Sequence, residues 1–282
     1  MIRARFITSV RILVLALFFT QIGFSQNQNF SSTDHNKGDF YFYWGWNRGW
    51  FSDSDIHFRG NDYDFNLENV SANDRQSSFN FETYFHPTYV TIPQYNFRVG
   101  YFFHEKYNIS IASDHMKYVM QNGQTVNISG EIKNSETVYD GNYNDDKIVL
   151  AEDFLQFEHT DGLNYINVAL RRSDRILKWK MLEFQLTEGI GTGVLLPRTN
   201  TNLLNNDRYD QFHLSGFGID AMVGLRTKIF KYFFIQTESK IGWINMPDIR
   251  TTNSTDDKAS QQFFFGQWNV VFGASFSLRK KK

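Results

Sequence analysis

His159 stands in the run Phe157-Glu158-His159-Thr160-Asp161-Gly162-Leu163-Asn164, flanked by a hydroxyl and two carboxylates. An imidazole beside carboxylates can serve as a general base near neutral pH. Period-2 alternation carried upward from Tyr165 and Asn167 puts His159 and Asp161 on the same face. Asp114 and Tyr118 fall on the matching face of the preceding regular stretch. His159, Asp161, Asp114 and Tyr118 are therefore the candidate catalytic set. The plainer reading of the same residues is a hydrogen-bond network that ties a loop to a wall.

Two other groups invite attention. Arg98, Glu183, Asp220, Arg226, Glu238 and Lys240 all lie on the polar face of an alternating stretch. If those faces meet around a narrow interior, these charges must pair, because an unpaired buried charge is costly. The run from Asp140 to Asp146 sets oxygen ligands at Asp140, Asn142, Asn144 and Asp146, as calcium loops do. It lacks their glycine at position six, where Asp145 stands, and their acid at position twelve, where Ala151 stands. It is read as a solvated loop. The chain contains no phosphate loop, HExxH or GxSxG motif, and no cofactor is expected. With no cysteine there is no disulfide framework and no thiolate metal site.

The elements that must position these groups are strands. Alternation recurs in eight stretches, each with one apolar face. Phe40, Phe42, Trp44 and Trp46 oppose Tyr41, Tyr43, Gly45 and Asn47. Tyr95 to Phe103 and Tyr107 to Ile111 repeat the pattern, as do Ile166 to Leu170 and Leu182 to Leu186. Phe217 to Leu225, Phe233 to Ile241 and Trp268 to Leu278 complete the set. The opposite faces carry Gly, Ser, Asn, Gln and charges. In a soluble sandwich the apolar faces would be the core; in a membrane barrel they face lipid and the polar faces line the lumen.

The connections favour the barrel. Those at 104–106, 173–175 and 230–231 are short, whereas 48–93, 121–160, 197–211 and 247–261 are long and polar. Such alternation is the pattern of outer-membrane barrels, with short periplasmic turns and long extracellular loops. Pro87, Pro93, Pro197 and Pro247 all fall in or beside the long connections, where no ladder is broken. Ile56–Phe58, Tyr63–Phe65 and Val126–Ile132 are extra extended segments, read as hairpins beyond the membrane; a ten-stranded barrel is the fallback. Glu188 falls on the apolar face unless a bulge near Gly189 turns it inward.

The chain opens with Arg3, Arg5 and Arg11 before the apolar run Ile12–Phe19, and ends this segment with Gly23-Phe24-Ser25. That is the form of a cleaved export signal over residues 1–25. Its removal leaves 26 basic against 30 acidic residues, a charge of −4, which gives no electrostatic reason to expect nucleic acid. The expected layout is a signal peptide (1–25), a periplasmic N-terminal segment (26–37), an outer-membrane barrel (38–279) and a basic tail (280–282), with both termini periplasmic in a Gram-negative cell.

Signal, eight alternating strands and aromatic final strand resemble small outer-membrane β-barrels of the OmpA/OmpX type. The resemblance is architectural. It implies an all-β, eight-stranded antiparallel up-and-down barrel that contacts outer-membrane lipids and is inserted by the barrel-assembly machinery. Such barrels end on an aromatic residue, while this chain continues to Lys282, so Phe276 would have to serve. The His159 patch resembles the outer-membrane lipid A deacylases, which carry a His-x-Ser pair and an acidic partner on the wall. Here Asp161 occupies the serine position and Thr160 has the opposite parity. The first expectation is a barrel with a plugged lumen, acting structurally or through an extracellular ligand at its large loops. A lipid-modifying hydrolase using His159 is second, and a small-solute channel third.

Overall fold

Alternating residues of β-branched and aromatic type, bounded by Gly, Pro, Asn and Asp, put most of the described residues in strands. The computed structural model describes residues 37–86, 89, 93–204, 206 and 208–277. The expected signal peptide, the segment up to residue 36, Pro87 and the basic tail lie outside the described residues.

In chain order the strands begin with β1 (Asp39–Phe51), β2 (Ser54–Arg59), β3 (Tyr63–Val70) and β4 (Ala72–Asp74), followed by a one-turn helix α1 (Phe81–Phe85). Next come β5 (Tyr95–Phe102), β6 (Tyr107–Met120), β7 (Thr125–Ile132) and β8 (Gly141–Val149). Then β9 (Leu155–Trp179), β10 (Leu182–Leu195), β11 (Arg198–Leu203) and β12 (Tyr209–Phe212) lead to β13 (Gly216–Ile229), β14 (Phe233–Arg250) and β15 (Lys258–Ser277).

Eight of these close a ring in the order β1-β5-β6-β9-β10-β13-β14-β15, with β15 pairing back onto β1 from Asp39↔Ser277 to Phe51↔Phe265. They match the eight stretches expected from alternation, with β5 ending one residue short of Phe103 and Leu278 lying outside the described residues, and the ten-strand fallback falls away. Register fixes the ring's geometry. Tyr41 pairs with Gly100, then Ser110, Ala169, Gly191, Asp220, Gly242 and Phe265, which pairs with Phe51. One circuit thus advances ten residues along β1. With a rise of ~3.3 Å and a strand spacing of ~4.8 Å, that stagger tilts the strands by about 41° and gives a backbone radius of roughly 8 Å. Such an interior holds side chains and little else. Gly100 is one place where the crowding is visible, because a Cβ there would run into the Tyr41 ring.

The outward faces carry Phe42, Phe97, Ile109, Ile111, Val168, Leu170, Ile190, Ile219, Leu225, Phe233 and Phe272 exposed, and the inward faces are buried. Glu188 stays outward, opposite Arg172, because β10 runs in unbroken register with β13 past Gly189; the irregularity lies instead in β9, where Ile176 is extra between the partners of Phe184 and Gln185.

One turn is displaced from expectation. The run 173–175 is not a turn: β9 continues to Trp179 and reverses at Lys180–Met181, with Lys180 at φ 52°. Its charges are accommodated within the strand. Arg171 and Ser173 point inward, and Asp174 pairs with Lys106 at 2.9 Å and Arg172 at 2.5 Å.

At the end of the ring that carries the long connections, the extra strands build a second layer. The upper part of β15 continues into β2, β3, β7 and β8, and β4 and β11-β12 extend β6 and β9. These two sheets enclose a core of their own, in which Phe58 meets Phe65 and Phe157 at 5.3 and 5.6 Å and Ile56, Leu67, Ile128, Met120 and Leu155 are fully buried. The segments read as hairpin extensions are the first of these sheets.

Candidate functional site

The lumen contains a continuous polar network. At its centre Glu238 on β14 accepts from Arg171 on β9 at 3.0 and 3.4 Å, Gln236 at 2.6 Å, Asn269 at 3.0 Å and the Tyr43 hydroxyl at 3.3 Å. Arg98 on β5 donates to Tyr43, Ser110 and Asn167, each at 2.9 Å. Asn167 passes the network to Asp114 at 3.0 Å, and Asp114 also holds Asn96 and the Lys240 ammonium. Arg226 donates to Gln236 at 2.7 Å and lies over the Phe234 ring, 4.0 Å from its centroid. Glu183 accepts from Gln185 and faces Arg175 at 3.7 Å. Asp220 accepts from the Tyr165 hydroxyl at 2.9 Å.

All six lumen charges expected from parity are buried, Arg98 and Lys240 at 0 and 1% exposure. They do not pair chiefly with one another. Their main partners are Arg171, Asp114 and Arg175 together with neutral amides and phenols. Arg171 shares the parity of Tyr165, Asn167 and Ala169, and extending that stretch past Leu170 would have found it. A charge held in this way needs several donors or acceptors to repay its desolvation; Glu238 has five donor contacts.

The four residues of the candidate catalytic set separate. His159 is fully buried beyond the lumen, in the core between the two upper sheets, against Phe157 at 5.1 Å and Tyr118 at 5.6 Å. Its Nδ1 meets the Thr199 hydroxyl of β11 at 3.0 Å, and its Nε2 has no hydrogen-bond partner among the described residues. Burial pushes this imidazole down to about 3, so it is neutral at physiological pH. Tyr118 bonds Gln261 at 2.5 Å instead, and burial raises its phenol to about 12. Asp114 belongs to the lumen network with Lys240.

Asp161 corrects the parity argument. It is exposed and paired with Arg198 at 3.2 Å, not turned inward beside His159. The cause is a bulge: Leu163 pairs with Met116 and His159 with Tyr118, so three residues of β9 oppose one of β6. Gly162 takes the positive φ of 126° that this excursion needs. Two extra residues keep His159 in phase and loop Asp161 out. The hydroxyl near the imidazole comes from Thr199, 40 residues away, which no local spacing announces. A catalytic triad would need a carboxylate to orient the imidazole and an open path for substrate. The contact at Nδ1 is a hydroxyl, and the ring is sealed by aromatics.

The oxygen-rich run also disperses. Asp140 accepts from the Ser135 amide at 3.1 Å, Asp146 caps the Asn144 amide at 2.8 Å, and Asn142 and Asn144 are exposed on β8. Among the described residues no group of three His, Asp or Glu is placed to hold a metal ion.

No family model and no curated protein matches the chain. Among solved structures it is similar to the attachment invasion locus protein Ail of Yersinia pestis, at 11% identity and a TM-score of 0.34, over 86% of this chain and 100% of that one. It is similar to the outer membrane protein OprG of Pseudomonas aeruginosa, at 10% identity and 0.34, over 86 and 98%. It is also similar to the outer membrane protein AlkL studied in lipid bilayers, at 10% and 0.37, over 91 and 99%. The closed eight-strand antiparallel ring stands on its own strand pairing.

Proposed function

We propose that the chain is an integral outer-membrane β-barrel with a sealed lumen, which acts structurally or in surface interaction through the folded β-layer at its loop end. One observation carries this reading: the usual distribution is inverted. Arg98, Glu238 and Lys240 are hidden inside, while Phe97, Ile111, Leu170, Ile190 and Phe233 are 43–65% exposed outside. A closed ring leaves no unpaired edge in hydrocarbon, and its apolar belt is stable only against lipid.

Lipids of the outer membrane are then the partners of the belt, the barrel-assembly machinery acts during insertion, and an extracellular ligand would meet the upper sheets. On this reading the end of the ring where β1 begins at Asp39 and β15 ends at Ser277 faces the periplasm, together with the Lys180–Met181 turn. An epitope inserted after Asn127, in the upper sheet, should be reached by antibody on intact cells. One inserted at Lys180 should be reached only after the outer membrane is permeabilised. The reverse pattern would refute the orientation, and accessibility of both on intact cells would refute the membrane-spanning reading.

A further inference from the structure

Residues 76–86, between β4 and β5, dock on the outside of the barrel wall. Their seat is Trp46, on the outward face of β1, which touches the outward-facing Trp44 at 5.2 Å and Phe272 at 5.6 Å. Tyr84 and Phe85 of α1 pack on the same indole at 5.4 and 5.2 Å. The segment is held in shape locally. Asn80 accepts from the Thr83 amide at 2.7 Å as an N-cap, and the buried Tyr84 donates to the Ser77 carbonyl at 2.8 Å. A single turn of helix has no stability of its own, so docking on the wall is what keeps it formed.

The other side of this segment is strongly apolar and uncovered. Phe79, Phe81 and Phe85 are 71, 74 and 50% exposed, and Phe81 stacks on Phe85 at 4.6 Å. An apolar patch of this kind marks an interaction surface. Its position names the partner, because it continues sideways from Trp44, Trp46 and Phe272 on the apolar belt.

We propose that α1 and Phe79 form a lateral lipid anchor, with Phe79, Phe81 and Phe85 in the acyl-chain boundary of the outer leaflet and Glu82 toward the headgroups. This rests on the reading of the belt as lipid-facing. Aromatic residues at the interface between headgroup and acyl chain are the general solution for such a contact. The anchor fixes the long β4–β5 connection to the membrane surface and braces β1, one side of the closing β1–β15 seam.

The chain has no cysteine, so single nitroxide labels can be placed without background. Phe81→Cys and Phe79→Cys report on the anchor, Ile111→Cys on the belt and Val138→Cys on the loop end, in full-length protein in phosphatidylcholine vesicles. Oxygen partitions into the bilayer, and a nickel chelate stays in water. Labels at 79, 81 and 111 should collide mainly with oxygen, and the label at 138 mainly with nickel. Nickel access at 79 or 81 with oxygen access at 111 overturns the anchor, and so does shielding from both reagents at 79 and 81, which would make a second copy the occupant. Nickel access at 111 overturns the belt reading and the anchor with it.

Discussion

Replacing Glu238 by Ala removes the acceptor that five donor contacts share, and leaves the Arg171 guanidinium, 2% exposed, without its carboxylate. The other nearby acid, Asp114, is already engaged by Lys240, Asn96 and Asn167. Breaking one side of such a buried pair costs about 3–5 kcal/mol. The control is Thr237→Ala on the outward face, which loses one hydrogen bond from the Trp268 indole, at 2.8 Å, and about 1 kcal/mol. At about 2–4 °C per kcal/mol for a chain of this size, Glu238→Ala should melt roughly 6–20 °C below the parent and Thr237→Ala roughly 2–4 °C below. Heat-dependent gel mobility in detergent reads both. The double variant Glu238→Leu, Arg171→Met should regain most of the loss, because it removes the stranded charge. Equal midpoints for the two single variants would mean that water solvates the lumen charges, and would restore the channel reading.

Acid should loosen the upper layer through His159. Its folded value of about 3 lies below the ordinary 6.5, so the stability it contributes is intact above pH 6.5 and is lost as pH falls toward 3, by about 1.4 kcal/mol per unit. Melting curves between pH 7 and 4 should show this slope in the parent and a flatter one in His159→Gln; identical slopes would contradict it. Expression in a host with intact lipid A should leave its acyl pattern unchanged by mass spectrometry, for the parent and for His159→Ala alike. An acyl-chain loss present in the parent and absent in His159→Ala would overturn the structural reading of this site.

Which part of this was legible from sequence follows from how local each feature is. The inward and outward faces of the ring strands obey a strict two-residue period, so Arg98, Glu238 and Lys240 could be placed inside from their neighbours alone. The end of β9 was not legible, because Arg171-Arg172-Ser173-Asp174-Arg175 looks like a polar turn. In the fold Arg171 and Arg175 join the lumen network and Ser173 is buried, while Arg172 and Asp174 pair outside. Asp161 was misplaced by a bulge that adds two residues, which period-2 counting cannot detect unless Gly162 is taken as a signal. The upper layer was the least legible. β3 pairs with β7 across some 60 residues, and β2 pairs with β15 across some 200. Its apolar residues look like lipid-facing ones in sequence, and only pairing turns them into a core.

The central claim is that the ring spans a membrane with its lumen closed by Arg98, Arg171, Glu238, Lys240 and Asp114. Conductance of the purified, refolded protein in a planar bilayer tests it most directly. The parent should give a silent baseline, with current steps appearing in variants that hollow the network, such as Arg98→Ala with Glu238→Ala. Steady conductance steps in the parent, with an ion selectivity that shifts in Lys240→Gln, would contradict it.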